Sequence, residues 1–463
     1  MSATATQTPA PRRRRGRLIR RLLAGVLALL LVALVGGYLY AKPLLLTGTG
    51  YAAHNACALA ALAGRQDAAS DLPPNPLVPF LRTSTSADGS STTTTVLGVL
   101  AGQTAYAGPG GCTIGAAPQL DLPAPAQVTI DPTRNPFSTA PAPAPSTTWD
   151  PLLAKAFGDD LDASGKKALG TRAVLVIHDG RLVAERYAPG FSANTRQLGW
   201  SMAKSVTNLL VGRLVAQGRL AVTDDHLRPE WTDRRAAITV DQLMRMTSGL
   251  SWNEDYDLGT PITRMLYLEP DMGRYAASQP LAHEPGSYQQ YSSGSTNLLC
   301  SVLRARTGSG AALPWRELYQ PLGLSSAVWE TDAAGTPVCS SYLWATPRDW
   351  AALGQLALQD GTWQGQRLLP EGWMARSTTV LPGQGEETGY AAGWWANRLA
   401  DGSLVDPALP AEAYWANGHD GQRVVVVPSA KLVVVRLGFS PSIKTPDTLR
   451  VLPLVKDAVA ATR

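Results

Sequence analysis

Two serines in this sequence lie three residues before a lysine, a spacing that brings both side chains to one face of a helix. A serine hydroxyl is a weak nucleophile and needs a neighbouring base to activate it. Lysine can be that base because burial shifts its pKa readily, whereas arginine stays protonated in proteins. The chain holds only 8 lysines among its 41 basic residues, so each Ser-x-x-Lys pair is a candidate for nucleophilic chemistry.

The two pairs, Ser164–Lys167 and Ser201–Lys204, differ in their surroundings. Ser164 lies in the polar stretch DDLDASGKKALG, where lysines complement the C-terminal end of a solvated helix. Ser201 opens an apolar stretch that is predicted to be helical to Gln217 and is followed by Gly218. An N-cap serine with a solvent-reaching lysine is the simpler alternative for this pair. The apolar context favours Ser201 as the nucleophile and Lys204 as its base.

Two further motifs follow in the chain. Tyr291-Ser292-Ser293 comes after the turn-prone stretch HEPG and before an apolar helical pattern. Gly418-His419-Asp420-Gly421-Gln422 directly precedes a strand pattern that starts at Arg423. Alone, a tyrosine before a helix indicates packing and Gly-His-Asp-Gly indicates a tight turn. In this order behind a Ser-x-x-Lys pair, the motifs become specific.

Together these motifs resemble the serine β-lactamase-like, penicillin-binding superfamily. They are nearest to its class C and esterase branch and, within that, to 6-aminohexanoate-dimer hydrolases. The resemblance covers roughly residues 150–463. It implies a serine hydrolase that needs no cofactor and cleaves an ester or small amide through an acyl-enzyme. It also implies that Ser201 is acylated, with Lys204 and Tyr291 as general base and acid.

The same resemblance assigns roles around the nucleophile. The backbone N–H groups of Ser201 and Gln422 would form the oxyanion hole, in which each donor typically contributes ~3 kcal/mol. Trp200, next to the nucleophile, and Asp420 with Gly421 are the expected substrate-binding residues.

Two positions depart from the family pattern. Ser293 stands where β-lactamases and carboxypeptidases have an asparagine that holds the substrate amide. His419 stands where a lysine is usual, which weakens the fixed positive charge at neutral pH. Both departures favour an esterase or small amidase, and β-lactamase or D-alanyl-D-alanine carboxypeptidase activity is the alternative.

Two other interpretations use the same residues differently. Gly199–Ala203 could be a relaxed nucleophile elbow of an α/β-hydrolase, but such an elbow needs a preceding strand and a parallel sheet. The polar stretch Ser192–Gln197 precedes Ser201 instead. A non-turnover sensor or cell-wall binding module on a membrane stalk would be acylated once and would stay so.

The elements that must position these residues predict an α+β fold. Strand patterns at Ala173–His178 and Arg181–Tyr187 flank Asp179-Gly180, a strong hairpin signal. A second pair, Arg423–Val427 and Leu432–Leu437, lies near the C-terminus. With helical patterns at Ser201–Gln217, Arg348–Leu358 and Leu449–Ala461, the sequence predicts an antiparallel sheet flanked by helices.

The N-terminus explains the basic composition. Residues 1–42 hold seven arginines and Lys42 without any acidic residue, so a net charge of +5 leaves −3 on the rest of the chain. A nucleic-acid partner is therefore not supported. Leu22–Ala41 is an uncharged stretch long enough to cross a bilayer. The sequence predicts a cytoplasmic tail over residues 1–21, one transmembrane helix over 22–41 and an extracytoplasmic remainder, with a cleaved signal peptide as the alternative.

The remaining boundaries come from cysteines and prolines. Residues 42–115 read as a small segment pinned by a Cys57–Cys112 disulfide, residues 116–150 as a Pro-rich spacer, and residues 151–463 as the hydrolase domain. Cys300 and Cys339 are either paired or buried thiols. No cysteine or histidine spacing is typical of a metal site. The sequence leaves the oligomeric state and the identity of the substrate open.

Overall fold

The computed structural model describes residues 12–115, 130–386, 389–443 and 448–462. Its α-helices are α1 Arg12–Ala63, α2 Asp150–Ala156, α3 Ala163–Leu169, α4 Met202–Ala216, α5 Val240–Met244, α6 Pro261–Leu268, α7 Met272–Ala277, α8 Ser293–Thr307, α9 Pro347–Leu358, α10 Trp373–Thr378 and α11 Val451–Ala461. A further run of α- and π-helix follows α8 over Ala312–Pro314, Trp315–Tyr319 and Gln320–Leu322. The strands of its two larger sheets are β1 Leu81–Thr85, β2 Ser91–Val96, β3 Leu100–Gly108, β4 Gly111–Ile114, β5 Thr171–His178, β6 Arg181–Tyr187, β7 Trp395–Ala396, β8 Tyr414–Gly418, β9 Gln422–Val427 and β10 Leu432–Gly438. Shorter strands lie at Gln197–Leu198, Tyr288–Gln289, Val328–Trp329, Leu343–Ala345, Thr362–Trp363, Gln366–Arg367 and Gln384–Gly385.

The centre of the molecule is a six-stranded antiparallel sheet in the order β7-β8-β9-β10-β5-β6. Successive residues of a strand point to opposite faces. Accordingly, Leu175 and Val435 pack with α4 and α9, whereas Val176 and Val434 pack with α2 and α11. Both faces are thus covered by helices. The predicted α+β class is confirmed, as are both hairpins and the three helices, whose ends shift by one or two residues.

The N-terminal segment is built around one long helix. α1 runs from Arg12 to Ala63, so the expected boundary at residue 42 falls inside a continuous helix. Its C-terminal half packs against the four-stranded sheet β1-β2-β3-β4. The predicted disulfide between Cys57 of α1 and Cys112 of β4 is present. Among the described residues, α1 is the helix that is long and apolar enough to cross a membrane.

The described part of the predicted Pro-rich spacer, residues 130–150, is docked on the domain that follows it. Residues 116–129 lie outside the described residues. Phe137 is 1% exposed, and the Asn135 amide donates to Asp349 at 2.7 Å. Arg348 donates to the carbonyl oxygens of Phe137 and Ala140. A proline-rich composition predicts extended backbone, but it does not show that single residues such as Phe137 fill a core position.

Candidate active site

Ser201 and Lys204 meet at the N-terminus of α4. Ser201 is the N-cap, and the preceding Trp200 has a positive φ of 48°, so the chain turns sharply into the helix. Lys204 lies one turn further on and is 3% exposed. Its Nζ donates hydrogen bonds to Ser201 Oγ at 3.0 Å and to the Ser340 carbonyl at 3.2 Å. The predicted nucleophile and base are therefore in direct contact.

Burial alters the acidity of this lysine. Desolvation lowers the pKa of Lys204 to about 8, while the nearby carboxylate of Glu254 acts in the opposite direction. Removing an ammonium group from water disfavours its charged form. A substantial fraction of Lys204 is thus neutral near pH 8 and able to accept a proton.

Glu254 is a site residue that the sequence analysis did not identify. Its Oε1 accepts from Ser293 Oγ at 2.5 Å, and its Oε2 accepts from Ser293 N at 2.8 Å and from the Trp252 indole at 2.6 Å. Ser293 Oγ in turn accepts from Lys204 Nζ at 3.0 Å. Glu254 lies in a loop between α5 and α6 without any motif around it, so only the fold brings it here.

Tyr291 and Ser293 reach the site from the start of α8. Ser292 caps this helix by accepting from Ser295 N, which places Tyr291 just before the first turn. Lys204 Nζ lies 4.7 Å from the centroid of the Tyr291 ring. The Tyr291 ring also packs against Tyr390 and Trp395. The predicted tyrosine and the third residue of its motif thus both contact the lysine.

The Gly418–Gly421 segment forms the opposite wall of the site. A Cβ on Gly418 would lie 2.2 Å from the Gly199 carbonyl oxygen, so only glycine permits this segment to approach the turn before Ser201. His419 is 5.7 Å from Trp200 between ring centroids, and its Nδ1 lies 2.9 Å from Asp420 Oδ1. His419, Asp420 and Gly421 all line the cleft.

Two predicted site residues lie behind this wall. Gln422 begins β9 and is buried, with its side chain bonded to both backbone groups of Gly438. Trp200 is also buried, and it lines a small second cavity together with Gln422. Both residues therefore support the wall of the cleft from behind.

A cation that the sequence analysis did not propose, Arg423, lies on the cleft side of the same strand. It is 8% exposed, and its Nη1 donates to the carbonyl oxygens of Gly418 and Gln422. Burial lowers the pKa of Arg423 to about 10, and Tyr291 counteracts that shift. Arg423 provides positive charge near Tyr291, although its guanidinium is engaged by backbone carbonyls.

The cleft that contains these groups has a volume of about 1240 Å³. One side is formed by the N-terminal segment, through Thr47, Gly48 and Tyr51 of α1 and the stretch 72–78. The Tyr51 ring stacks on Tyr267 at 5.3 Å and meets Trp200 edge-on at 6.0 Å. A motif search within the hydrolase domain could not have found this wall, because it comes from the segment that precedes the domain.

Cys300 of α8 and Cys339 are paired, which settles the alternative that the sequence left open. This disulfide joins α8 to the residue before Ser340, whose carbonyl bonds Lys204. Within the described parts of the chain, His, Cys, Asp and Glu form no group that could hold a metal ion.

The buried Lys204 bonds Ser201 at the start of a helix, and this helix packs on an antiparallel sheet that has helices on both faces. This combination defines a serine hydrolase of the β-lactamase and transpeptidase fold. The Beta-lactamase family model matches residues 153–438. The chain belongs to the β-lactamase family.

Individual proteins are similar to this chain in sequence or in fold. The chain is 25% identical over 312 residues to the 6-aminohexanoate-dimer hydrolase of Paenarthrobacter ureafaciens, covering 60% of this chain and 74% of that protein. A penicillin-binding protein homologue from Caulobacter crescentus superposes with a TM-score of 0.53 at 18% identity, covering 70% and 99% of the two chains. EstCE1, a hydrolase with promiscuous acyltransferase activity, superposes with a TM-score of 0.55 at 19% identity, covering 66% of this chain and 99% of that chain.

Proposed function

We propose that this protein is an extracytoplasmic serine hydrolase, held at a membrane by α1, that cleaves an ester or small amide through an acyl-enzyme on Ser201. One observation carries the proposal: a buried Lys204, with its pKa lowered to about 8, lies 3.0 Å from the Ser201 hydroxyl. A neutral amine at that distance is a competent base for activating serine.

In the acylation step, Ser201 Oγ attacks the substrate carbonyl carbon while Lys204 Nζ takes the hydroxyl proton. The new C–O bond leaves a negative charge on the carbonyl oxygen. The Ser201 N–H at the start of α4 is one donor for that charge. A backbone N–H of the Gly418–Gln422 turn, whose residues Gly418 to Gly421 line the cleft, is the second donor.

Collapse of this intermediate breaks the bond to the leaving alcohol or amine. Tyr291, which contacts Lys204, gives a proton to the leaving group and regains one from Lys204, which took it from Ser201. In deacylation a water attacks the ester carbon and gives a proton to the Lys204–Tyr291 pair. The C–Oγ bond then breaks, the pair returns the proton to Ser201 Oγ, and the acid leaves. The same two side chains thus act as base and acid in turn.

The charges in the cleft favour a neutral or cationic substrate over one that carries a carboxylate. His419 Nδ1 lies 2.9 Å from the Asp420 carboxylate, and the Arg423 guanidinium donates to backbone carbonyls. Asp255, Asp257 and Glu386 line the cleft as well. This balance supports esters and small amides over β-lactams and D-alanyl-D-alanine peptides, whose recognition uses a carboxylate.

The membrane part of the proposal rests on α1. Its apolar stretch is long enough to span a bilayer, and none of the most apolar part of this helix is buried in the protein. The arginines before it favour a cytoplasmic N-terminus and a catalytic domain on the other side.

A fluorophosphonate probe tests the nucleophile. We expect the probe to label the protein, Ser201→Ala to abolish labelling, and Lys204→Ala to reduce it steeply. Ser164→Ala, in the other Ser-x-x-Lys pair, is the matched control and should label like the unmodified protein. Robust labelling of Ser201→Ala would overturn the assignment.

A substrate panel then separates the substrate classes. It contains short p-nitrophenyl esters, a chromogenic cephalosporin, D-Ala-D-Ala peptides and 6-aminohexanoate dimer. A burst of product without steady turnover would indicate the alternative of a non-turnover sensor that stays acylated.

A further inference from the structure

The two ends of the β1–β4 sheet differ in polarity. The β1–β2 turn, residues 86–90, is polar and carries Asp88. At the other end, Val99 in the β2–β3 turn is 81% exposed, Leu97 is 58% exposed and Phe80 is 50% exposed. The Leu97 N–H donates to the Phe80 carbonyl at 2.9 Å and the Val99 N–H donates to the Val96 carbonyl at 3.2 Å, so the three residues lie at one end of the sheet. We call Phe80, Leu97 and Val99 the apolar tip.

Contacts with α1 fix the direction in which the apolar tip points. The Ala101 N–H, two residues after Val99, donates to the Tyr38 hydroxyl at 3.1 Å, and the Ala101 carbonyl accepts from Thr49 at 2.7 Å. The other end of the sheet is tied to the same helix by Cys57–Cys112. α1 therefore runs along the sheet with its N-terminal side at the apolar tip and its C-terminal side at the polar end.

Ala101 bonds both Tyr38 and Thr49 of α1, so the sheet meets the helix between these two levels, and the apolar tip lies on the Tyr38 side. At ~1.5 Å rise per residue, Tyr38 lies ~5 Å before Ala41, the end of the apolar stretch, and Thr49 lies ~12 Å after it. Tyrosines are enriched at the boundary between hydrocarbon and headgroups, and Tyr40 is 85% exposed here. The apolar tip thus lies beside the end of the stretch expected to span the bilayer.

The charged residues of this segment also differ between the two ends of the β1–β4 sheet. The exposed basic residues Lys42 and Arg82 lie at the end of the sheet that carries the apolar tip, and Asp88 lies at the opposite end. The first acidic residue of the whole chain is Asp67. Basic side chains beside an apolar surface match the anionic headgroups and acyl chains of a bilayer. In water the same surface would leave large apolar side chains hydrated, at a cost of ~25 cal/mol per Å².

We infer that the apolar tip inserts into the lipid headgroup and acyl boundary on the catalytic side of the membrane, as a second contact beside α1. The inference rests on the proposed anchoring by α1. A single helix leaves the domain free to rotate about its axis and to tilt, whereas a second contact restricts both. Because Thr47 of α1 lines the cleft six residues after Ala41, this contact holds the cleft ~9 Å above the end of the span.

Site-specific fluorescence in vesicles tests the inference with the full chain. All four native cysteines are in disulfides, so Val99→Cys can be labelled alone with the environment-sensitive dye NBD. Ala87→Cys, in the polar β1–β2 turn of the same sheet, is the matched control. Leu30→Cys, within the apolar stretch of α1, reports on the anchor itself. Each protein is reconstituted in phosphatidylcholine and phosphatidylglycerol vesicles with or without doxyl-labelled lipid.

We expect NBD at position 99 to emit at shorter wavelength and to be quenched several-fold more strongly by doxyl lipid than NBD at position 87. Equal, weak quenching at positions 99 and 87 with strong quenching at position 30 would overturn the inference and leave the anchor intact. Weak quenching at all three positions would overturn the anchor and the inference together. Ester turnover, measured on the same vesicles, reports separately on the proposed hydrolase.

Discussion

The Glu254 carboxylate and the Lys204 ammonium lie 4.0 Å apart, and the Ser293 hydroxyl bridges them. Ser293 accepts from the lysine and donates to the glutamate, so a proton displaced at Ser201 has a continuous hydrogen-bonded path to a carboxylate. The Ser293 hydroxyl makes this path possible, because a hydroxyl both accepts and donates with one oxygen.

We expect Glu254→Gln to shift the pH dependence of the reaction. The negative charge of Glu254 raises the pKa of Lys204, so removing it lowers that pKa further. The rising limb of kcat/KM against pH, which reports Lys204 losing its proton, should therefore move to lower pH. Glutamine also replaces one acceptor oxygen with an NH₂ donor, which leaves Ser293 less well positioned, so kcat should fall by about tenfold, or ~1.4 kcal/mol of barrier.

Glu386→Gln is the matched control for that variant. Glu386 lines the cleft but is exposed and bonds the Gln290 amide. Removing the charge of Glu386 should leave the rising limb of kcat/KM at the same pH. A Glu254→Gln profile that superimposes on that of the unmodified enzyme would contradict the coupling of Glu254 to Lys204.

Lys204 itself should control the pH profile of the unmodified enzyme. With a pKa lowered to about 8, the lysine is protonated and inactive as a base below that pH, so kcat/KM should rise with pH and level off above about 8. Lys204→Arg introduces a side chain that stays protonated and cannot accept the serine proton. It should reduce kcat by roughly 10²–10⁴-fold, the usual contribution of a general base. Lys167→Arg, in the exposed Ser164–Lys167 pair, should change neither quantity.

The Cys300–Cys339 disulfide should matter for activity as well as stability. Replacing both cysteines with serine opens a loop of 39 residues and should lower the free energy of unfolding by about 4 kcal/mol on the chain-entropy model. It should also lower kcat, because Cys339 positions the Ser340 carbonyl that bonds Lys204. Denaturant unfolding and steady-state kinetics measure the two effects. The double variant at Cys57 and Cys112 should lose similar stability, and an equal loss of kcat there would argue against the positioning role.

Tyr51 should determine how well the cleft holds a substrate. Tyr51→Ala removes a ring from the cleft wall and its contact with Trp200. We expect KM for bulky acyl esters to rise several-fold with little change in kcat, the result of losing binding that is equal in the ground and transition states. Tyr106→Ala, at an exposed position on β3, is the control. A fall in kcat with unchanged KM would contradict a role in binding.

The features predicted well are those that depend on neighbouring residues. The hairpin at Asp179-Gly180 and the helix after Ser201 follow from turn chemistry and apolar spacing, which act over a few residues. The continuity of α1 through Ala63 was missed, because the sequence analysis ended the helix where the apolar stretch ends. Tertiary packing against the β1–β4 sheet extends it.

The site divides in the same way. The sequence by itself determined that Ser201 and Lys204 share a helix face, because three residues bring them there in any α-helix, and it paired Cys57 with Cys112. Only the tertiary structure placed Glu254 beside Ser293, moved Gln422 behind the cleft and made Tyr51 part of its wall. Glu254 and Ser293 are 39 positions apart, and Tyr51 and Trp200 are 149 positions apart. The packing of separate elements decides such distances, and no local pattern encodes them.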